Sequence, residues 1–98
     1  MSDVHSKISA IIAKPSSPCP LGMLQCGDSG YIQAVRAAAT LEGNELERRL
    51  LEMGFIEGAH VELLHEGFIG RDPIAVRVNQ TTVALRRSEA NAVLVNLL

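Results

Sequence analysis

The sequence predicts a mostly-β domain of about five short strands with one longer helix and a short helical turn before the last strand. The clearest signal is a pair of runs, residues 74–78 and 81–85, in which aliphatic or β-branched side chains occupy every second position. Asn79 and Gln80 separate these runs and predict a hairpin, although Asn-Gln specifies the turn type less strongly than Asn-Gly would. Ser88 predicts the N-cap of the short helical turn. Similar but weaker alternation predicts strands over residues 30–36, 59–64 and 93–97.

The longer helix is predicted to begin at Glu45 and to end at a glycine. Asn44 can act as its N-cap, with Glu47 three residues later as the reciprocal partner in a capping box. Gly54 supplies the left-handed backbone conformation that a Schellman C-terminus needs. The helix therefore leads directly into the next predicted strand.

The two faces of this helix differ in polarity. Phe55, just beyond the helix, can fold back onto Leu50 on the inner face. Leu51 lies well off that face, between Glu47 and Arg48 on the mainly charged side. The inner, apolar stripe consists of Leu46, Leu50 and Met53.

A large apolar residue on the charged side of a helix is a candidate interaction site. We hypothesise that Leu51 anchors a protein partner, with Arg48 and Glu47 forming the rim of the binding surface. The alternative is that a loop of the domain covers Leu51 and makes it part of the core.

The chain divides unevenly into an arm and a domain. Val4, Ile8 and Ile11 could form a short amphipathic turn, which would be too short to be stable alone. Residues 14–20 contain three prolines and predict a linker, because proline is incompatible with a helix interior or a central strand. We expect a flexible arm and linker over residues 1–20 and one domain over 21–98.

Composition argues against several classes of function. The 98 residues include only two Phe, one Tyr and no Trp, so stacking platforms for single-stranded nucleic acid are not expected. The formal net charge of -2 gives no general attraction to phosphate. No apolar stretch approaches the ~20 residues that span a bilayer, and the amino terminus lacks the uninterrupted apolar core of a signal peptide. We therefore expect a cytoplasmic protein that neither binds nucleic acid nor inserts into the membrane.

The sequence contains no recognisable catalytic or phosphate-binding motif. Ser88 has no neighbouring histidine and carboxylate in sequence that would suggest a nucleophile, although a triad is defined in space. Gly27, Gly30 and Gly54 fit neither the P-loop pattern nor the G-x-G-x-x-G pattern. We expect neither enzymatic activity nor a cofactor.

The cysteines are weak candidates for metal binding. Cys19 and Cys26 are seven positions apart, unlike the close C-x-x-C pair of a structural zinc site. In a reducing compartment they are expected to remain free thiols. Cys26 is kept as a weak candidate ligand.

A second weak metal candidate lies on the predicted strand after the helix. On a regular strand His60, Glu62 and Glu66 would share one face, whereas His65 would point to the other. At most a partial site could form, so we expect no dedicated metal site. These side chains are then exposed polar residues, and the alternative is a weak, adventitious site for a divalent ion.

Two arginine pairs also allow two interpretations. Arg48 and Arg49 could form ion pairs four residues apart on the helix with Glu52 and Glu45, respectively. Arg86 and Arg87 could bind backbone carbonyl groups or the carboxylates of a partner. Solvated surface charge is the simpler expectation for both pairs.

The runs LERRLLEMGFIEGAHVELL, GRDPIAVRV, TVALRRSEA and AVLV, taken together, resemble the ferrous iron transport protein A (FeoA) family. The resemblance extends from about Leu21 to Leu98 and implies a small SH3-like barrel. Two positions depart from the family pattern: Glu57 stands where proline is frequent, and Arg71 separates Gly70 from Asp72, which usually adjoin. Both departures concern the shape of loops.

The resemblance also implies a function. A FeoA-like protein is expected to support Fe(II) uptake as a non-enzymatic accessory protein that binds and modulates the membrane transporter FeoB. The alternative is a metal-sensing accessory domain, since similar SH3-like domains are attached to metal-dependent repressors. A weak homo-oligomer of the chain is a further hypothesis.

Overall fold

The computed structural model describes residues 18–98, which form one antiparallel sheet and two helices. The amino-terminal turn predicted through Val4, Ile8 and Ile11 lies outside these residues. A single 3-10 turn, Leu21–Met23, follows the first strand. The strands are β1 (Cys19–Pro20), β2 (Ser29–Val35), β3 (His60–Glu66), β4 (Ile74–Val78), β5 (Thr81–Leu85) and β6 (Val93–Leu97), and the helices are α1 (Leu41–Glu52) and α2 (Arg87–Ala90).

The sheet has the strand order β1-β6-β2-β3-β4-β5. The five predicted strands are confirmed within one or two residues at their ends, and β1 adds a short sixth strand. β1 occupies the last two residues of the predicted linker, where Pro20 is tolerated because an edge strand needs no N–H group on its outer side. Since β6, next to the edge strand β1, and Leu85 in β5 at the other edge contribute to one core, the sheet wraps round a shared interior.

The core is entirely apolar among the described residues. Leu50 from α1 and Phe55 just after it are completely buried within it. Leu46 and Met53 are partly buried against the same core, which confirms the predicted inner stripe of the helix. The strands supply most of the remaining core residues: Ile32, Val61, Leu63, Ile74, Val76, Val78, Leu85, Val93 and Val95.

The start of α1 differs from the prediction. Asn44 is not the N-cap, because the helix begins one turn earlier and Thr40 caps it, its hydroxyl accepting a hydrogen bond from the Gly43 N–H at 3.0 Å. This first turn requires a glycine at position 43, because a side chain there would collide with the Ala38 carbonyl. The glycine thus permits a close backbone approach and does not mark a break.

The end of α1 is a Schellman motif, as predicted. Gly54 has a φ of 105°, and its N–H donates to the carbonyl of Leu51 at 3.0 Å. The Phe55 N–H donates to the carbonyl of Leu50, also at 3.0 Å. Both hydrogen bonds fix the direction in which the chain leaves the helix for β3.

The short helix α2 has a different cap from the one predicted. Ser88 lies inside the first turn, and Arg86 is the N-cap residue. The Glu89 carboxylate accepts a hydrogen bond from the Arg86 N–H at 3.1 Å, which satisfies a backbone donor that the helix itself leaves free. None of the helices among residues 18–98 has the length and apolar character needed to cross a membrane.

Candidate functional site

The outer face of α1 leaves one large apolar side chain in solvent. Leu51 is 45% exposed, whereas its neighbour Leu50 is completely buried. Arg48 is exposed and Glu47 is half-buried, and both lie within one helical turn of Leu51. No loop among residues 18–98 buries Leu51, and its role as a partner anchor stays a prediction. We call Leu51, Arg48 and Glu47 the outer helix surface.

A cleft beside α1 is bridged by an ion pair. Arg49 Nη2 lies 2.7 Å from Glu89 Oε2, so Arg49 pairs with α2 and not with Glu45, the helical partner considered from the sequence. The Arg86 backbone N–H, followed by the Arg49 guanidinium, lowers the pKa of Glu89 below its ordinary value. Because about half of the Arg49 side chain is exposed, this pair should contribute no more than about 1 kcal/mol to stability. The cleft is lined by Arg49, Glu52, Met53, Ala84, Leu85 and Glu89.

Arg87 is a structural residue: the expectation of solvated charge is wrong at this position, and the alternative, that it binds backbone carbonyl groups, is confirmed. Its side chain is only 17% exposed. The guanidinium donates to the carbonyl oxygens of Gly22 at 2.9 Å, Leu24 at 2.8 Å and Arg71 at 2.9 Å, and to Glu66 Oε1 at 2.8 Å. It therefore ties the 3-10 turn, the end of β3 and the β3–β4 loop together.

The metal candidates on β3 are separated by a β-bulge. The register between β3 and β4 shifts between Leu63 and His65, so that His65 lies opposite Ala75 and Glu66 lies opposite Ile74. Directly opposed residues share a face, and Ile74 is buried while Ala75 faces the other side. His65 therefore joins the outer face, and Glu66 leaves it, which reverses the prediction for these two residues.

The remaining candidates have other contacts. The His60 ring lies edge-on to the Tyr31 ring at 5.3 Å between centroids, and Glu62 Oε1 is 3.9 Å from the guanidinium of Arg77. Glu66 is engaged by Arg87 at 2.8 Å, and Cys26 is an exposed free thiol. No group of three or more His, Cys, Asp or Glu side chains within residues 18–98 is arranged to hold a metal ion.

An apolar loop tip was missed by the sequence analysis. Phe68 and Ile69 are 106% and 89% exposed in the β3–β4 loop. They lie between Gly67 and Gly70, outside both predicted strands. An apolar pair between two glycines of a loop is the sequence signal that could have identified this exposed tip. Leu97 and Leu98 are also exposed, at and just after the end of β6.

Comparison of the sequence with models of known protein families agrees with the observed fold. The FeoA domain model matches residues 19–97. The chain belongs to the FeoA family. Membership gives the chain a role in ferrous iron transport and places it in a family of accessory transport factors.

Solved FeoA structures share this fold. FeoA of Stenotrophomonas maltophilia, a prokaryotic SH3 domain protein solved in complex with zinc, is 32% identical with a TM-score of 0.68, and the match covers 80% of this chain and 93% of that one. FeoA of Chlorobium tepidum is also 32% identical with a TM-score of 0.68, covering 81% of this chain and 70% of that one. The expected SH3-like domain is thus confirmed. No curated protein sequence matches the chain.

The same fold occurs in a larger regulatory protein. A manganese-dependent transcriptional repressor is 20% identical with a TM-score of 0.68, and the match covers 83% of this chain but 42% of the repressor. At 20% identity, the similarity between this chain and the repressor shows a shared fold alone.

Proposed function

We propose that this chain is a non-enzymatic accessory protein that supports Fe(II) uptake by binding the cytoplasmic part of the FeoB transporter and modulating it. The observation that carries the proposal is the match of the FeoA domain model to residues 19–97, which include every described strand and both helices. An accessory role requires a binding surface and does not require a catalytic centre.

The outer helix surface is our candidate for the contact with FeoB. Leu51 is 45% exposed on a helix whose opposite face already supplies Leu46, Leu50 and Met53 to the core. An exposed leucine flanked by charged side chains has the composition of an interface anchor with a polar rim, in which the apolar residue supplies most of the binding energy. Arg48 and Glu47 provide that rim and would select the orientation of the partner.

Binding of the intact chain to detergent-solubilised FeoB from the same organism tests the proposal. We expect saturable binding, and we expect Leu51→Ala to weaken it by about 1 to 2 kcal/mol because the variant loses an apolar anchor. Leu41→Ala is the matched control: it removes the same side chain from an exposed position at the start of α1, roughly 15 Å along the helix axis from Leu51.

The results separate the proposed partner from the proposed surface. Absence of binding by the wild-type chain would contradict the FeoB proposal. Binding that is equal for wild type and Leu51→Ala would contradict the outer helix surface alone. Binding to a metal-dependent repressor in place of FeoB would favour the alternative function as a metal-sensing accessory domain.

A further inference from the structure

The β3–β4 loop, residues 67–73, carries the two most exposed large apolar side chains among the described residues. Phe68 is 106% exposed and Ile69 is 89% exposed, and they are adjacent in sequence. Single exposed apolar residues are common on protein surfaces and need no explanation. A neighbouring aromatic and aliphatic pair at the tip of a loop, with neither side chain packed on the domain, does need one. We call Phe68 and Ile69 the loop tip.

The backbone that carries the loop tip is held on both sides. The Gly67 N–H donates to the carbonyl of Pro73 at 2.9 Å and closes the base of the loop. Arg87 donates from Nε to the carbonyl of Arg71 at 2.9 Å, and its backbone N–H donates to Asp72 Oδ1 at 2.8 Å. A loop whose base is fixed in this way loses little backbone entropy when it binds, so the backbone that presents the two apolar side chains is preorganised for an interaction.

The charges next to the loop tip indicate what its partner must offer. Arg71 is 69% exposed, and its Nε is 3.9 Å from Glu66, so most of its hydrogen-bonding capacity faces solvent. Glu66 and Asp72 are both engaged by Arg87, at 2.8 Å each. A complementary site would therefore be a concave apolar pocket with a carboxylate at its rim for Arg71.

A protein pocket fits these features better than a lipid surface. Arg71 and Arg87 are balanced by Glu66 and Asp72, and the whole chain has a net charge of -2, so anionic headgroups would not attract this end of the molecule. The side chains of Phe68 and Ile69 together carry fewer apolar carbons than a myristoyl chain, which alone binds membranes only marginally. In a protein interface the same two residues suffice, since a few buried anchors dominate the affinity.

We propose that the loop tip inserts into an apolar, acid-rimmed pocket on the cytoplasmic part of the FeoB transporter, as a contact separate from the outer helix surface. Phe68 and Ile69 fill the pocket, Arg71 pairs with its rim, and Arg87 positions the loop. This inference rests on the proposed function, because it takes FeoB as the partner.

The test compares two isoleucines of the intact chain. Ile69→Ser removes half of the apolar loop tip, and Phe68→Ser/Ile69→Ser removes all of it. Ile56→Ser is the matched control, because Ile56 is 51% exposed and lies after α1, outside both proposed contacts. Each variant is titrated against purified FeoB in detergent, sedimented with vesicles of phosphatidylethanolamine and phosphatidylglycerol, and measured for self-association by analytical ultracentrifugation. Circular dichroism melting checks that each variant is folded.

We expect the double variant to bind FeoB about tenfold or more weakly, Ile69→Ser to be intermediate, and Ile56→Ser to stay within about twofold of wild type. Wild-type affinity in the folded double variant would overturn the loop-tip proposal and leave the proposed function intact. No binding by the wild-type chain would overturn the proposed function and this inference with it. Tip-dependent sedimentation with vesicles, or tip-dependent dimerisation, without an effect on FeoB binding would assign the loop tip to lipid or to a second copy and would also overturn the proposal.

Discussion

Neighbouring residues of α1 have opposite surroundings. Leu50 is completely buried and Leu51 is 45% exposed, because successive helical residues are rotated by roughly 100° about the axis. The sequence was sufficient to assign both faces, since the inner stripe and the Schellman end are local patterns. The same residue type therefore supports folding at one position and is free for binding at the next.

We expect Leu50→Ala to lower the free energy of unfolding by about 2 to 5 kcal/mol, because it leaves a cavity in the core beneath α1. Leu51→Ala is the control and should change the free energy of unfolding by less than about 0.5 kcal/mol. Urea titration followed by circular dichroism measures both values. Similar losses for the two variants would show that the faces of α1 are wrongly assigned.

Arg87 is the residue for which the sequence was least informative. Its acceptors come from positions 22, 24, 66 and 71, which are distant from it in the chain, so no local pattern reveals them. Because these acceptors cannot be identified from the sequence, an arginine that follows another arginine in a polar segment resembles solvated surface charge. Only the folding of the 3-10 turn and the β3–β4 loop onto α2 gives it a structural role.

We expect Arg87→Met to destabilise the domain by on the order of 2 kcal/mol, since it leaves carbonyl and carboxylate acceptors without their charged donor. Arg87→Lys should not restore stability, because one ammonium group cannot reach the acceptors that the planar guanidinium bridges. Thermal unfolding measures both variants. Wild-type stability in Arg87→Lys would mean that charge alone matters at this position.

The elements differ in how far their ends could be predicted. The C-terminus of α1 was predicted correctly because a glycine with positive φ is a local requirement. The N-terminus of α1 was not predicted correctly, because Thr40 caps a first turn that contains Gly43. The close approach of the Ala38 backbone, which requires a glycine there, is visible only in the fold. The bulge in β3 was also missed, because strict alternation offers no signal for an extra residue.

We expect Gly54→Val to destabilise the protein by more than about 1 kcal/mol, because a β-branched residue resists the φ of 105° at this position. Gly54→Asn should cost less, since asparagine tolerates left-handed conformations better than valine does. The comparison uses denaturant midpoints of the two variants. Equal midpoints would show that backbone conformation is not the source of the effect.

At the scale of the whole molecule, the potential metal ligands are dispersed. His60, Glu62 and His65 lie on the outer face of the sheet, whereas Glu66 is held by Arg87 at one end of it. Cys26 is exposed in the loop before β2. The sequence analysis correctly placed His60 and Glu62 on one face. Because of the bulge, His65 and not Glu66 shares that face with them, which is the reverse of the prediction.

We expect the intact chain to bind Fe(II) or Zn(II) only weakly, because no three of these side chains converge among residues 18–98. Isothermal titration calorimetry under anaerobic conditions measures the affinity. A stoichiometric, submicromolar site that His60→Ala or Cys26→Ser abolishes would contradict the accessory-protein proposal in favour of a metal carrier or sensor.

The place of β6 in the sheet affects when the protein can fold during synthesis. β6 pairs with β1 on one side and with β2 on the other, although both partners precede it by more than half of the chain. Translation therefore produces β2 long before the strand that covers its free edge, and the apolar surface of β2 stays open to other chains in the interval. The domain can complete its sheet only after Val93–Leu97 has left the ribosome, so its folding must wait for the last of its strands.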